Sequence, residues 1–250
     1  MVSENDIITV IMGMRNRNDY RFHNCLETLR CQDINGWFYY DVVVVDYGGA
    51  DPNIEKVVIG FGFSYIYTHE LGLFNEARAK NVGVKSSRSK FLFFTNADIL
   101  LESNAISVAL NAMTGDSNSI VLCKRHAIQD GLTDKMDVVD GYDRVLKMSR
   151  VDDPTAEGDF QVVTREWFEK ARGFDERFEG WGALDNDLTK RAEADGLKKI
   201  YIDNETSCIH QNHSVVENKW GYFRKNNEIY TRDMGKVVRN EGGWGIRKLR

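Results

Sequence analysis

No stretch of this chain is apolar enough to cross a bilayer: its longest apolar runs, such as Ile7 to Met12 and Val42 to Val45, are four to six residues, against the roughly 20 that a spanning helix needs. Nor is there an excess of positive charge. Lys and Arg number 33 against 38 Asp and Glu, a net charge of −5, so no strong field draws nucleic acid or an acidic membrane surface, and a nucleic-acid partner is not expected. The first ten residues carry Glu4 and Asp6 and lack the basic start and apolar h-region of a secretory signal, so a cytoplasmic location is expected. Cysteine is scarce. Cys25, Cys31, Cys123 and Cys208 form no CxxC pair and no metal-finger spacing, which reads as reduced thiols used as small core hydrophobes. No repeat or low-complexity segment is present. The chain has 250 residues, 42% apolar and 28% charged, enough to bury one sizeable core.

The first hundred residues alternate between two periods. Ile7 to Met14 is an apolar, β-branched run that reads as a strand buried on both faces, the kind that belongs to a parallel sheet. Tyr20, Phe22, Cys25, Leu26 and Leu29 then recur at mostly helical spacing, with Asn16 or Asn18 available as the cap. A strand at Asp41 to Asp46, a break at Gly48-Gly49 and a short helix opened by Asp51-Pro52 follow. A strand at Ser64 to Thr68, a helix from Asn75 to Lys85 and a strand from Lys90 to Thr95 complete a doubly wound α/β pattern. Ligands of such folds sit beyond the carboxyl ends of the strands, which here carry Arg15-Asn16-Arg17, Asp46-Tyr47-Gly48 and Asn96-Ala97-Asp98.

Between Gly115 and Glu157 the pattern weakens to an apolar run at Ile120 to Cys123 and an Asp-rich stretch, read as a strand and a long flexible loop, mobile from about Gly131 to Asp153. It recovers with a strand at Phe160 to Val163, a helix from Arg165 to Ala171, and a helix opened by Gly180-Trp181-Gly182-Ala183-Leu184-Asp185-Asn186-Asp187. Ile200 to Ile202 reads as a last strand, His210 to His213 as a loop, and Trp220, Phe223 and Tyr230 as a C-terminal helix before a solvated basic end, Arg247 to Arg250.

Four features can carry chemistry. Asp98 stands at a strand end between apolar neighbours, where one carboxylate can serve a hard divalent cation that also takes phosphate oxygens; the alternative is a helix cap. Asp185 and Asp187 lie two apart at a helix start and so point in different directions, one free for general-base work, the other to cap or to pair with Lys190 or Arg191. His210 and His213 suit a borderline metal, or are a satisfied pair. Trp181, between two glycines, is either core or a face for a sugar to stack on.

The order of these pieces resembles the GT-A glycosyltransferases, specifically family 2-like enzymes and the β-1,4-galactosyltransferase and chondroitin-polymerase types. The segments that carry the resemblance are Ile11 to Arg17, Phe74-Asn75-Glu76-Ala77-Arg78-Ala79-Lys80-Asn81-Val82-Gly83, Asn96-Ala97-Asp98-Ile99, Gly173-Phe174-Asp175-Glu176 through Leu188, and Cys208-Ile209-His210-Gln211. The resemblance implies a Rossmann-like fold with a mostly parallel central sheet and flanking helices. It implies one catalytic domain over residues 1–213, with a nucleotide-binding half (1–100) and an acceptor half (101–213), followed by a C-terminal helix and basic tail over 214–250. It also implies an inverting transfer from a nucleotide-diphosphate sugar, most simply a UDP-sugar, to an acceptor hydroxyl. In that scheme Asp185 is the catalytic base, and Asp98 and His210 are ligands of Mn²⁺ or Mg²⁺. Arg15, Arg17 and Arg78 contact the diphosphate, Asp46 the nucleoside, Asn96 a ribose hydroxyl or a metal-bound water, and Trp181 with Gly182 the sugar and acceptor.

The sequence departs from the family pattern at Asn96 for the first Asp of DxD, Leu184 for the Glu of a Glu-Asp pair, and Tyr47 for the second Asp after the second strand. Two rival readings are a sugar-1-phosphate nucleotidyltransferase, which needs a Gly-rich loop where this chain has Arg-Asn-Arg, and a non-catalytic glycan- or nucleotide-sugar-binding module, which does not need Asp98, Asp185 and His210 together.

Overall fold

The structure, a computed structural model, describes residues 8–34, 39–152, 157–214 and 218–246. Ile7, the acidic start, Asp153 and the basic end Arg247 to Arg250 lie outside the described residues. The first half runs β1 (Ile8–Met14), α1 (Tyr20–Arg30), β2 (Tyr40–Tyr47), α2 (Ile54–Gly60), β3 (Ser64–Thr68), α3 (Glu76–Ser86) and β4 (Phe91–Phe94). The second runs β5 (Ile99–Leu101), α4 (Ala105–Gly115), β6 (Ser119–Leu122), β7 (Arg125–Ile128), α5 (Tyr142–Met148), β8 (Arg150–Val151), β9 (Gln161–Thr164), α6 (Arg165–Lys170), α7 (Leu184–Ala194), β10 (Lys198–Tyr201), β11 (Cys208–Gln211) and α8 (Lys219–Asp233). None of the described helices is long and apolar enough to cross a membrane.

Seven strands form the central sheet in the order β10-β6-β9-β4-β1-β2-β3. All neighbours are parallel except β9, which runs antiparallel to both β4 and β6. β1 is buried at every position, as a strand covered by helices on both faces must be. On one face α1 buries Phe22, Cys25, Leu26 and Leu29. On the other, α3 approaches very closely, because Gly83 brings its backbone onto Ile11 and Val45. The cap of α1 is Asp19, whose carboxylate accepts from the N–H groups of Arg21 and Phe22, and not the expected Asn16 or Asn18. Asn16 is left-handed, at φ 53°, and accepts from Ala50, while Asn18 donates to Asp51; both stitch the loop after β1 to the one after β2.

A second, four-stranded sheet in the order β5-β11-β7-β8 corrects two expectations. His210 and Gln211 belong to a strand, because β11 is held between β5 and β7. The Asp-rich stretch contains β7, α5 and β8 in place of one long loop. Val138, Tyr142 and Val145 are buried from it against Leu100, Ile128 and Ile209, and the Tyr142 hydroxyl donates to the Ser207 carbonyl at 3.0 Å. Those three apolar residues already lie at helical spacing; the aspartates around them face outward. Helix α4, with Ile106, Ala109, Leu110 and Met113 buried, was not anticipated either. Three of the cysteines, Cys25, Cys123 and Cys208, are free and buried, as expected of core thiols.

A Cβ on Gly83 would lie 2.6 Å from Ile11 Cγ2 and 3.2 Å from Val45 Cγ2, so Gly83→Val is expected to lower stability by about 1–3 kcal/mol through overpacking. Gly115→Ala, with nothing within 4 Å of its Cβ, is expected to be neutral or stabilising by up to about 1 kcal/mol. Urea denaturation of both variants checks the pair, and equal effects would contradict this account of the α3 contact.

Candidate active site

The carboxyl ends of β1 and β4 meet the second sheet at Asp98, which follows β4 and takes Arg17 from the loop after β1. β5 starts at the next residue, and antiparallel pairing sets His210 opposite Ile99, while the Gln211 N–H donates to the Asp98 carbonyl at 3.0 Å. The register therefore fixes His210 beside Asp98. His213, three residues on, turns back to the same carboxylate: its Nε2 lies 3.2 Å from Asp98 Oδ2, and that of His210 lies 3.8 Å away. Asp98, His210 and His213 each offer a ligand atom within 4.8 Å of the others.

The hydrogen bonds on the far side of each ring suit a metal ligand. His210 Nδ1 is 2.9 Å from the Asn212 side-chain oxygen and His213 Nδ1 is 2.8 Å from the Ser214 carbonyl. Both nitrogens therefore donate, so Nε2 is the ring nitrogen turned to the carboxylate: a ring that keeps its Nε2 proton donates it to Asp98, and a ring that has given it up offers a lone pair to a metal. Arg17 bridges the pair, with Nη1 2.9 Å from Asp98 Oδ2 and Nη2 3.1 Å from His213 Nε2. Burial would push the Asp98 carboxyl up, but its bonds to His210 and His213 and the charge of Arg17 outweigh that and hold it well below the usual carboxylate range. For the same reason His210, which burial alone would lower, is raised by Asp98.

Asp185 is in the first turn of α7, after the left-handed residues Gly180, Gly182 and Ala183. A Cβ on Gly158 would fall 2.0 Å from the Asp185 Cγ, so only glycine leaves room for this carboxylate. Its backbone is tied to β9 by Gln161, which donates to the Asp185 carbonyl at 2.9 Å. Asp185 Oδ1 is buried with no hydrogen-bond partner among the described residues. Burial is the largest influence on this group; Lys80 lowers it, Glu76 and Asp159 raise it, and the carboxyl is pushed up to about 7.

Asn96 sits in a polar network beneath that carboxylate. It accepts from the buried Lys80 ammonium at 3.0 Å and donates to Asp159 at 2.7 Å. Lys80 pairs with Glu76 at 2.6 Å, and Asp159 with Arg125 at 2.5 Å. A position between a donor and a carboxylate wants one acceptor and one donor, which asparagine has and ionised aspartate has not. This is the physical reason for the departure from DxD. The charges of Asp159 and Arg125 act on both His210 and Asp185, so this network joins the two halves of the site.

The other singled-out residues are engaged nearby. Arg15 donates to the carbonyls of Gly72 at 2.6 Å, Glu70 at 3.1 Å and Gly48 at 3.4 Å. Arg78 is 3.1 Å from Glu70 and 3.4 Å from Glu176. Asp46, its carboxyl raised by burial, accepts from the Gly49 N–H at 2.7 Å and from the Tyr65 hydroxyl at 3.0 Å, closing the turn after β2. Trp181 is 39% exposed and joins Trp220, 65% exposed, and Phe223 in a ring cluster, with the Lys219 ammonium 3.8 Å over its ring. A Cβ on Gly182 would meet the Phe223 ring at 2.9 Å, so α8 packs directly on this turn.

Sequence reasoning left open which histidine faces Asp98, and the structure brings in both. It missed Lys80, Asp159 and Arg125, for which a buried lysine on the apolar face of α3 was the available signal. Asp187 does not cap α7: it is buried, 2.8 Å from Arg191 and 2.6 Å from Arg239.

A family model for glycosyl transferase family 2 matches residues 9–172, well over half of the chain, and a model described as the N-terminal domain of galactosyltransferase matches residues 154–214. The chain belongs to glycosyl transferase family 2. Its fold is that of the GT-A glycosyltransferases. S. aureus TarS superposes with a TM-score of 0.61 at 14% identity, covering 82% of this chain and 37% of that one. A mannosyltransferase from Pyrobaculum calidifontis, PcManGT, solved in complex with GDP-Man and Mn²⁺, gives 0.60 at 18% identity, covering 87% of this chain and 60% of that one. This chain thus spans less than two thirds of either protein. No curated protein matches it.

The network predicts the outcome of restoring the family residue at position 96. Asn96→Asp sets two carboxylates against each other, since Asn96 Nδ2 is 2.7 Å from Asp159 Oδ1, and the pair is expected to retain a proton. A carboxyl whose folded pKa is raised loses stability as pH rises, so the variant should be less stable by about 1–3 kcal/mol at pH 8 and by less at pH 5. Chemical denaturation at both pH values checks this; an equal or larger deficit at pH 5 would contradict it.

Proposed function

We propose that this chain is a metal-assisted, inverting glycosyltransferase that moves a sugar from a nucleotide-diphosphate donor, a UDP-sugar, to an acceptor hydroxyl. The observation that carries the reading is the Asp185 carboxylate: it is pressed against Gly158 and one of its oxygens is buried without a partner among the described residues. A passive binding surface has no need of such a group. Pushed up to about 7, Asp185 is poised to accept a proton at neutral pH. It takes the proton of the acceptor hydroxyl as that oxygen bonds to the anomeric carbon. The bond from that carbon to the diphosphate breaks on the opposite face, its electron pair leaves with the nucleoside diphosphate, and the configuration inverts.

Asp98 and His210, joined by His213, are the residues that would hold a divalent ion. Two imidazoles and one carboxylate suit Mn²⁺ better than Mg²⁺, which favours all-oxygen surroundings. When bound, such an ion supplies positive charge to the diphosphate leaving group. Arg17, already on Asp98, lies where it can add to that charge, with Arg15 and Arg78 further along the strand ends. Asp46 and Asn96 line the nucleoside side, Asn96 through its place between Lys80 and Asp159. Trp181 offers a partly exposed ring for the sugar and acceptor, and Gly182, by letting Phe223 pack on the turn, sets the position of that ring. PcManGT was solved with GDP-Man, so a panel of UDP- and GDP-sugars is the direct test of the donor.

Asp98→Ala, His210→Ala and His213→Ala are each expected to weaken Mn²⁺ binding by at least about tenfold to a hundredfold in calorimetry with the nucleotide present. Unchanged affinity in all three would reject the site. Asp185→Asn is expected to keep donor binding and lose about 10²- to 10⁴-fold in turnover. Wild-type kcat should rise about tenfold per pH unit up to about pH 7 and level above it, because the base works only when ionised. A pH profile flat from 5 to 8, or full turnover in Asp185→Asn, would contradict the mechanism.

A further inference from the structure

Both family matches end by residue 214, yet the chain beyond it supplies one of its most buried charges. The Arg239 side chain is 2% exposed. Its Nη2 and Nε donate to the same Asp187 oxygen, Oδ1, at 2.6 and 3.2 Å. Its Nη1 donates to the Asp233 carbonyl at the end of α8, at 2.7 Å, and Nε lies 3.5 Å from Asp175 Oδ2. The other Asp187 oxygen, Oδ2, accepts from Arg191 Nε at 2.8 Å. One arginine from the C-terminal segment thus grips a carboxylate from each of two separate stretches, Gly173 to Glu176 and Asp185 to Asp187.

Helix α7 needs such a grip. It starts at the left-handed Ala183, which offers no side-chain cap, so its first turn depends on tertiary contacts. Asp187 and Asp185 are two residues apart, about 200° around the helix. When Asp187 faces the arginines, Asp185 faces away from them, toward Gly158.

We propose that Arg239 is a positioning residue for sugar transfer: through Asp187 it fixes the rotation of the first turn of α7 and so holds the Asp185 carboxylate against Gly158. This rests on the reading of Asp185 as the base. Removing the guanidinium leaves Asp187 and Asp175 buried with one fewer cation, and the turn relaxes toward solvent or rotates to relieve them. Misplacing a reacting group by about 1 Å costs on the order of 10²-fold.

The test compares Arg239→Met, Arg239→Lys and Arg239→Ala with wild type and Asp185→Asn. Its readouts are amide hydrogen exchange, kcat and donor KM per folded molecule, and rescue by guanidinium ion. Exchange protection at residues 184–188 is expected to fall in Arg239→Met and, less, in Arg239→Lys. Turnover should fall about 10- to 100-fold in Arg239→Met with donor KM unchanged, because the groups proposed for the diphosphate lie on other elements. Added guanidinium should recover part of the turnover of Arg239→Ala and none of that of Asp185→Asn. Should Arg239→Met fail to fold, Arg239→Lys carries the comparison. Wild-type protection and wild-type kcat in folded Arg239→Lys would overturn the proposal, as would a raised donor KM with kcat kept. Full turnover in Asp185→Asn would instead overturn the base assignment, and the exchange measurement reads the Arg239 contact independently of it.

Discussion

The site depends on one strand pairing. β11 lies antiparallel to β5 with His210 opposite Ile99, and since β5 begins immediately after Asp98, the ladder itself delivers the imidazole to the carboxylate. A shift of one residue would turn His210 to the other face of the sheet. The pairing also closes the second sheet, so stability and site geometry rest on the same hydrogen bonds. Tyr142, held to the Ser207 carbonyl just before β11, and Gln211, bonded to Thr133 and Asn24, lock that register from both sides.

Charge is handled differently in the two halves of the site. Around Asp98 the balance favours ionisation: two histidines and Arg17 surround one carboxylate, as a group meant to stay anionic requires. Around Asp185 the balance is against it, because burial and the acids Glu76 and Asp159 oppose Lys80 and Arg125. Two carboxylates of the candidate site are thereby pushed in opposite directions, one fixed as a charge and one able to exchange a proton near neutrality. Asn96, between Lys80 and Asp159, keeps a fourth carboxylate away from Asp185, Glu76 and Asp159.

Most of the first half was legible in the sequence, because buried parallel strands write themselves as apolar runs. Ser64 to Thr68 is β3 to the residue, and Asn75 stands at the head of α3 as its cap. The antiparallel β9, inserted between β4 and β6, carries no such mark, since strand order is a long-range property. The Asp-rich stretch hid α5 because its outward face is acidic enough to read as loop, although Val138, Tyr142 and Val145 kept helical spacing. Of the site, Asp98 and Asp185 were legible as carboxylates stranded among apolar or glycine neighbours. Lys80, Asp159, Arg125 and Arg239 were not, because each acts through partners distant in sequence, 63 residues away for Asp159 and Asn96 and 52 for Arg239 and Asp187.

In the proposed function Asp98, His210 and His213 form one metal site that meets the diphosphate. Anomalous scattering at the manganese edge, from crystals grown with Mn²⁺ and a nucleoside diphosphate, reads that site out. A single peak is expected within bonding distance of the Asp98 carboxylate and of Nε2 of both histidines, with the diphosphate against it and Arg17 released from Asp98. A nucleotide bound in the crevice with Arg17 still on Asp98 and His213, and no manganese between them, would contradict it.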